Sequence, residues 1–305
     1  MASLQKATPE ELPALLERLT TKLPHSFTVH GVVSGQLSHG LDRWKIIVSP
    51  APSTLVIVTR SSLSLQSVSL YWDVDEDQET LTKMLASTTL INWTQRIVLF
   101  ACTPYVIRKM DEMIRTGVLG GGKLIPDPVI DAHVYTITQA ILPSASPRLP
   151  EGLRIGPVEP HHAHVLFKHW EYNQLENIEE YTEMVKALPG YAVYPCPSPH
   201  TTESTEDSAL EDTEQPIAWA QFSPHNTIQN TFTLEKYRRM GLGKAVTLAL
   251  VTHLLREGTS ASLIIVDKNE PSIRFHEGLG FVRETPVMFL VCSVLGGSED
   301  FPSTQ

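Results

Sequence analysis

Chemistry concentrates in one run, Thr231-Phe-Thr-Leu-Glu-Lys-Tyr-Arg-Arg-Met-Gly-Leu-Gly-Lys-Ala245. A short β-prone stretch, Thr231 to Leu234, meets a basic turn that holds Arg238, Arg239, Met240, Gly241, Leu242, Gly243 and Lys244. From Ala245 to Leu255 nearly every residue is apolar, and the run is too long for one strand. The pattern predicts a strand, a glycine-containing turn and a buried helix. Glycines at a helix start let the backbone approach a ligand closely, and the free amides with the helix dipole favour an anion. The run therefore predicts a pyrophosphate cradle.

Three nucleotide motifs compete for it. A Walker A loop needs Gly-x4-Gly-Lys-Ser/Thr, but Gly243-Lys244 is followed by Ala245. A dinucleotide fingerprint needs three glycines in an early βαβ unit, and only two stand here, far along the chain. The R/Q-x-x-G-x-G/A loop of the GNAT acyltransferases, which bind acyl-coenzyme A, is matched by Arg238 to Gly243. A second segment follows a buried strand predicted at Ser262–Val266. Asp267-Lys-Asn-Glu-Pro-Ser-Ile-Arg-Phe-His-Glu-Gly-Leu-Gly-Phe281 resembles the GNAT pattern N-x-x-A-x-x-L-Y-E-K-x-G-F, with matches at Asn269, Ser272, Phe275, His276, Glu277, Gly280 and Phe281. Pro271 suits a first helical turn and Gly278 a helix stop.

The resemblance reaches further. Leu23 to Gly31, Leu90 to Gln95, Phe167-Lys-His-Trp170 and Thr233 to Arg238 look like glycine N-acyltransferases and their relatives. It implies an α/β chain with a GNAT fold: a mixed central sheet flanked by helices, preceded by an N-terminal α/β companion domain. It also implies transfer of an acyl group from acyl-CoA to glycine or another small amino acid. No cofactor beyond that co-substrate is implied. By the same resemblance, main-chain groups of Phe232, Thr233 and Leu234 meet the pantetheine arm, Asn269 lies near it with Ser272, and His276 takes the place of the usual tyrosine that protonates the leaving thiolate. An imidazole with an ordinary pKa of about 6.5 could do so, the alternative being a side chain that only packs and hydrogen-bonds against CoA. The family's proposed base, a glutamate on the strand entering the loop, aligns with Thr227. His225 is one replacement, a chain of water another, and lost activity a third. The family also suggests a mitochondrial location, which the N-terminus, not Arg-rich, does not support; cytoplasmic is the alternative.

Composition narrows the classes. The chain has 305 residues, 42% of them hydrophobic, and a net charge of -10, which argues against a nucleic-acid surface. Cys102, Cys196 and Cys292 lie far apart without metal-ligand spacing and read as reduced, mostly buried thiols. His161, His162, His164 and His169 share one predicted helix, yet no cysteine and no His-Glu-x-x-His accompanies them, so a solvated or capping face is expected rather than a metal site. No apolar run approaches the ~18 residues of a membrane span.

Along the chain, Thr8 and Glu11 have capping-box spacing around Pro9, with Leu12, Leu15, Leu16 and Leu19 as one stripe. Strands are expected at Phe27–Val33, Trp44–Val48, Leu55–Thr59, Ser67–Trp72, Ile97–Ala101 and Val134–Ile137, with helices through Leu81–Leu85 and from Pro104 to Thr116. These make a first domain, 1–141. A Pro- and Ser-rich linker covers 142–152. A CoA-binding domain covers 153–295, with a helix pair (Pro160 to Trp170 and Ile178 to Ala187) over the acceptor pocket, and a tail covers 296–305. Inside the second domain, 198–215 is an acidic stretch expected to be disordered. Two other functions stay open: a GNAT acting on a protein amine or polyamine, and an inactive CoA-binding regulator.

Overall fold

The computed structural model describes residues 3–63, 65–140, 148–196 and 215–296. The acidic stretch 198–214, most of the linker and the tail beyond 296 lie outside them. In chain order the elements are β1 (Gln5–Lys6), α1 (Leu12–Thr20), α2 (Phe27–His39), β2 (Lys45–Val48), β3 (Val56–Ser62), β4 (Leu65–Tyr71), α3 (Gln78–Ser87), β5 (Arg96–Cys102), α4 (Pro104–Arg115), β6 (Leu124–Pro126) and β7 (Ile130–Ile137). Then follow β8 (Leu153–Pro157), α5 (Ala163–Lys168), α6 (Ile178–Ala187), β9 (Gly190–Pro195), β10 (Ala218–Phe222), β11 (Ile228–Thr233), α7 (Leu242–Arg256), β12 (Ala261–Val266), α8 (Glu270–Glu277) and β13 (Val282–Val294). Mixed α/β character is as expected.

The chain divides into two compact units. The first comprises 1–33, 42–132 and 286–305, the second 34–41 and 133–285.

In the first unit β1, β2, β3 and β4 run antiparallel in sequence order, and β5 lies parallel to β4. The later part of β13 pairs with β5 and with β6. Successive side chains on a strand point to opposite faces. Ile57 accordingly joins Leu81, Met84 and Leu85 of α3 and Ile107 and Met110 of α4. Val56 and Val58 join Leu12, Leu15 and Leu19 of α1 and Val29, Val32 and Val33 of α2. Each such side chain, once buried, contributes about 1.5–3 kcal/mol. The capping box forms: the Thr8 N–H donates to the Glu11 carboxylate at 2.7 Å. Cys102 and Cys292 are buried in this core, and desolvation pushes both thiols up to about 12, so neither is a thiolate near neutrality.

One sequence expectation fails. Phe27–Val33 is the start of helix α2, not a strand. Val29, Val32 and Val33 have the i, i+3, i+4 spacing of a buried helix face, and a short apolar run does not separate that from a buried strand.

In the second unit β8, β9, β10 and β11 form an antiparallel meander. β12 pairs with β7 in a different sheet. Leu242, Val246, Leu250, Val251 and Leu254 of α7 fill one core with Trp219, Phe222, Tyr181 and Leu263.

Candidate functional site

β11 sits at the end of its four-stranded sheet with β10 as its ladder partner, and β12 sits at the end of another sheet. The edges that β11 and β12 present to one another are therefore not joined by a ladder, which leaves main-chain donors and acceptors of β11 for a ligand. A bulge adds to the divergence. Trp219 opposes Phe232, but Gln221 opposes Gln229, so β11 carries one extra residue. Asn230 stands in the slip with φ of 47°, the left-handed region that asparagine tolerates better than most side chains. Its amide Nδ2 donates to the Leu166 carbonyl of α5 at 3.2 Å and to the Tyr181 hydroxyl of α6 at 2.7 Å.

The chain leaves β11 through one 3-10 turn, Glu235–Tyr237. Arg239 and Gly241 both have positive φ, 65° and 76°, and α7 begins at Leu242. The first amide of this segment to bond inside the helix is that of Ala245, to the Gly241 carbonyl at 3.0 Å. The N–H groups of Leu242, Gly243 and Lys244 precede it, and the N-cap residue, Gly241, has no side chain to cap them. A Cβ at Gly241 would meet nothing within 4 Å. A Cβ at Gly243 would stand 3.4 Å from Thr233 Oγ1 and 3.5 Å from Phe275 Cζ, so the start of α7 touches both the end of β11 and α8. Arg238, Arg239, Met240 and Lys244 are exposed around the opening. Arg238 donates from Nε to the Thr233 carbonyl at 3.3 Å and lies over the Phe232 ring.

α8 supplies the other wall. Asn269 caps it, accepting the Ser272 N–H at 3.1 Å, so its Oδ1 is already engaged. His276 is buried between Phe275 and Phe281. Its Nδ1 lies 2.9 Å from the Ser272 carbonyl, which only accepts, so Nδ1 carries the hydrogen and Nε2 the lone pair. Nε2 is buried without a hydrogen-bond partner among the described residues. Desolvation lowers the imidazole to about 4, against a smaller opposing pull from the Ser272 carbonyl. The expected protonated fraction near neutrality is thus absent, because burial has removed it. The pH consequence is definite. The unfolded chain's histidine takes a proton near 6.5, the folded one near 4, so this group costs no stability above 6.5 and about 3 kcal/mol once pH has fallen to 4. His276→Phe is expected to flatten that acid-side decline in denaturant titrations between pH 6.5 and 4.

His225 is brought elsewhere. It lies buried in the turn before β11, its N–H on Ser223 Oγ at 3.2 Å, at the opposite end of the strand from the cradle. At about 3.3 Å per residue, the strand itself separates the two by some 17 Å. Thr227 is buried and its hydroxyl pairs with Ser223 Oγ at 2.7 Å. The start of α7 thus touches the end of β11 at Thr233 and, at Phe275, the helix that carries Asn269, Ser272 and His276, while His225 lies at the other end of β11.

Sequence reading missed a second cluster. His169, at the end of α5, stacks on Phe232 with centroids 4.9 Å apart and planes 26° apart. Trp219 of β10 lies 5.1 Å from Phe232 and 5.8 Å from His169. The sequence places this helix over the acceptor pocket and makes Phe167-Lys-His-Trp170 a family landmark, but gives His169 no role. Among the described residues no three His, Cys, Asp or Glu side chains gather to hold a metal. His162 instead accepts the Glu159 N–H at 3.0 Å, the capping role expected of this helix.

The first unit contains a comparable strand–turn–helix, β4 to α3, with the opposite electrostatics. Where α7 follows a basic turn, α3 follows Asp73-Val-Asp-Glu-Asp77. Asp77 caps α3 by accepting from the Glu79 and Thr80 amides, each at 3.2 Å. β4 and β5 pair from Leu65↔Arg96 to Val68↔Leu99; beyond that Ser69 Oγ donates to the Phe100 carbonyl at 2.7 Å and the Leu70 N–H to Cys102 Sγ at 3.3 Å. Both the helix start and the widening strands are filled by the chain's own groups.

The comparisons fit this geometry. The family model described as FR47-like protein matches residues 209–289, a span that contains β10, β11, α7, β12 and α8. No curated protein sequence matches the chain. Among solved structures, a Drosophila protein of 15% identity superposes with a TM-score of 0.80, covering 98% of this chain and 100% of that one. A GCN5-related N-acetyltransferase from Sphaerobacter thermophilus has 14% identity and a TM-score of 0.59, covering 98% and 97%. A tandem GNAT protein from the clavulanic acid biosynthesis pathway has 12% identity and a TM-score of 0.57, covering 98% and 99%. At these identities the likeness establishes the fold, which is that of the GCN5-related N-acetyltransferases.

Proposed function

We propose that the chain is an acyltransferase that moves an acyl group from acyl-CoA to an amine, with a free amino acid such as glycine as acceptor. The observation that carries this is the uncapped, glycine-lined start of α7, set at the end of a strand whose outer edge has no ladder partner. A pyrophosphate fits the first: it is anionic, and the amides of Leu242 to Lys244 with the helix dipole offer positive charge without a competing carboxylate. A pantetheine arm fits the second, because its amides can pair with the main chain of Thr233 on that edge, the Leu234 N–H being already donated to the Ile217 carbonyl. Arg238, Arg239 and Lys244 add cationic groups around the phosphates. The choice of an amino acid over other amines rests on the resemblance of Leu23–Gly31, Leu90–Gln95 and Phe167–Trp170 to glycine N-acyltransferases.

The chemistry then asks for few groups. Only a neutral amine attacks, so the acceptor ammonium must lose a proton. The thioester carbonyl oxygen gains charge, which main-chain N–H groups at the bulge can stabilise. The C–S bond breaks with its electron pair on sulfur. His276 at neutral pH is an uncharged acceptor at Nε2, suited to hold an amide or thiol hydrogen and not to donate a proton from that atom. His276→Phe is accordingly expected to weaken acetyl-CoA binding by about fivefold, the worth of one hydrogen bond, and to leave the pH dependence of turnover unchanged.

One observation favours a second reading, a CoA-binding regulator: Thr227 stands where the family's glutamate is expected, and its hydroxyl is engaged with Ser223. Single-turnover thiol release from acetyl-, benzoyl- and long-chain acyl-CoA, with and without free amino acids, separates the two. Acceptor-dependent release supports the enzyme; binding without release under every condition supports the regulator.

A further inference from the structure

We infer that His169, held against Phe232 and Trp219, is the group that takes the proton from the acceptor amine. The inference rests on the acyltransferase reading and supplies the base that reading lacks. His169 follows the last residue of α5, so its ring is carried by a helix end packed over β11. The ring lies face to face with Phe232, the residue whose main chain borders the opening between β11 and β12. The guanidinium of Arg238, at the head of the anion cradle, lies 5.9 Å from the same ring. Phe232 thus contacts both the imidazole and the first arginine of the cradle, on the strand that a pantetheine arm would follow.

A second observation comes from Trp219. Its indole Nε1 is buried and has no hydrogen-bond acceptor among the described residues. A buried donor left without an acceptor needs an explanation, and a ligand oxygen beside His169 is one. The carbonyl of the acyl group or a carboxylate of the acceptor has the required lone pairs. Neither of the two histidines singled out from the sequence as catalytic offers an equivalent place: His276 turns Nδ1 to its own helix, and His225 stands at the wrong end of β11.

The ring is also in the right form. Partial burial, aided by the neighbouring Lys168, holds its pKa below the ordinary value, so it is neutral, hence basic, near pH 7. The neighbouring Lys168 resists the imidazolium, which favours prompt release of the proton to solvent.

The balance is as follows. The acceptor ammonium gives one proton to a ring nitrogen of His169. The amine lone pair forms the C–N bond with the thioester carbon. The C–S bond then breaks, sulfur keeps the electron pair, and the second proton of the attacking nitrogen passes to it. The products are an amide, a free thiol and one proton that His169 returns to water.

The test is the pH dependence of kcat/KM for the acceptor in the wild type, His169→Gln and His169→Ala, with acetyl-CoA affinity measured by calorimetry in each. The wild type is expected to lose activity through an inflection below the ordinary histidine value of about 6.5. His169→Gln is expected to fall about 100-fold at pH 7, within the range of a general base, to lose that inflection, and to bind acetyl-CoA within twofold of wild type. Added imidazole is expected to restore part of the activity of His169→Ala. A surviving inflection in His169→Gln, or equal losses of turnover and CoA affinity, would overturn the inference and leave the acyltransferase reading intact. A wild type that releases no thiol in response to any acceptor would instead remove that reading, and the role of His169 with it.

Discussion

A chain carrying Gly241→Asp is expected to fold as the wild type does and to lose about two orders of magnitude in affinity for acetyl-CoA. Gly241 precedes the first residue of α7, has φ of 76°, and a Cβ there would stand in open space. Aspartate tolerates left-handed backbone at a cost of about 1 kcal/mol. A carboxylate at a helix start returns about 0.3–1 kcal/mol. Net stability should therefore move by less than about 1 kcal/mol. The ligand fares worse. A carboxylate some 5 Å from one phosphate charge, at an effective dielectric of ~20, repels it by about 3 kcal/mol, equivalent to roughly 100-fold. Gly241→Asn, with the same backbone tolerance and no charge, is expected to retain most of the affinity. The first unit already shows what such an aspartate does: Asp77 occupies the amides at the start of α3.

Asn230→Ala is expected to destabilise the second unit by about 3–4 kcal/mol and to reduce turnover more than tenfold. Alanine at φ of 47° costs about 1–2 kcal/mol. The bonds from Nδ2 to the Leu166 carbonyl and the Tyr181 hydroxyl go as well, at about 1 kcal/mol each. The functional loss follows from register: the bulge sets which face of β11 Phe232 occupies, and a one-residue slip moves every side chain beyond it to the other face. Asn230→Gly is expected to recover the backbone part alone, about half of the loss. Hydrogen exchange of the β10 and β11 amides reads the stability, and acceptor-dependent thiol release reads the function.

What the sequence made legible was local. The cradle could be read because its signals, two glycines, basic residues and an apolar helix, lie within a few residues of one another. Asn269 to Phe281 could be read for the same reason. The opening between β11 and β12 came only through the family resemblance, since it depends on which strands each one pairs with. β13 went unrecognised: its first residues, Val282 to Thr285, alternate poorly, and Pro286 interrupts the run. α2 was mistaken for a strand because its buried valines fit both periods. His169 lies 63 positions before Phe232 in the sequence, and no spacing rule connects an imidazole at a helix end to a phenylalanine on a later strand. His276 was legible in place but not in state, because its desolvation is produced by Phe275, Phe281 and the Ser272 carbonyl together.

The central claim is that the start of α7, and not the corresponding start of α3, holds the phosphates of acyl-CoA. Calorimetric titration of the full chain with acetyl-CoA tests it most directly. One molecule bound per chain, with affinity lost in Gly241→Asp and kept in Gly241→Asn, is the result the account predicts. No binding, two molecules per chain, or binding that Gly241→Asp leaves undiminished would contradict it.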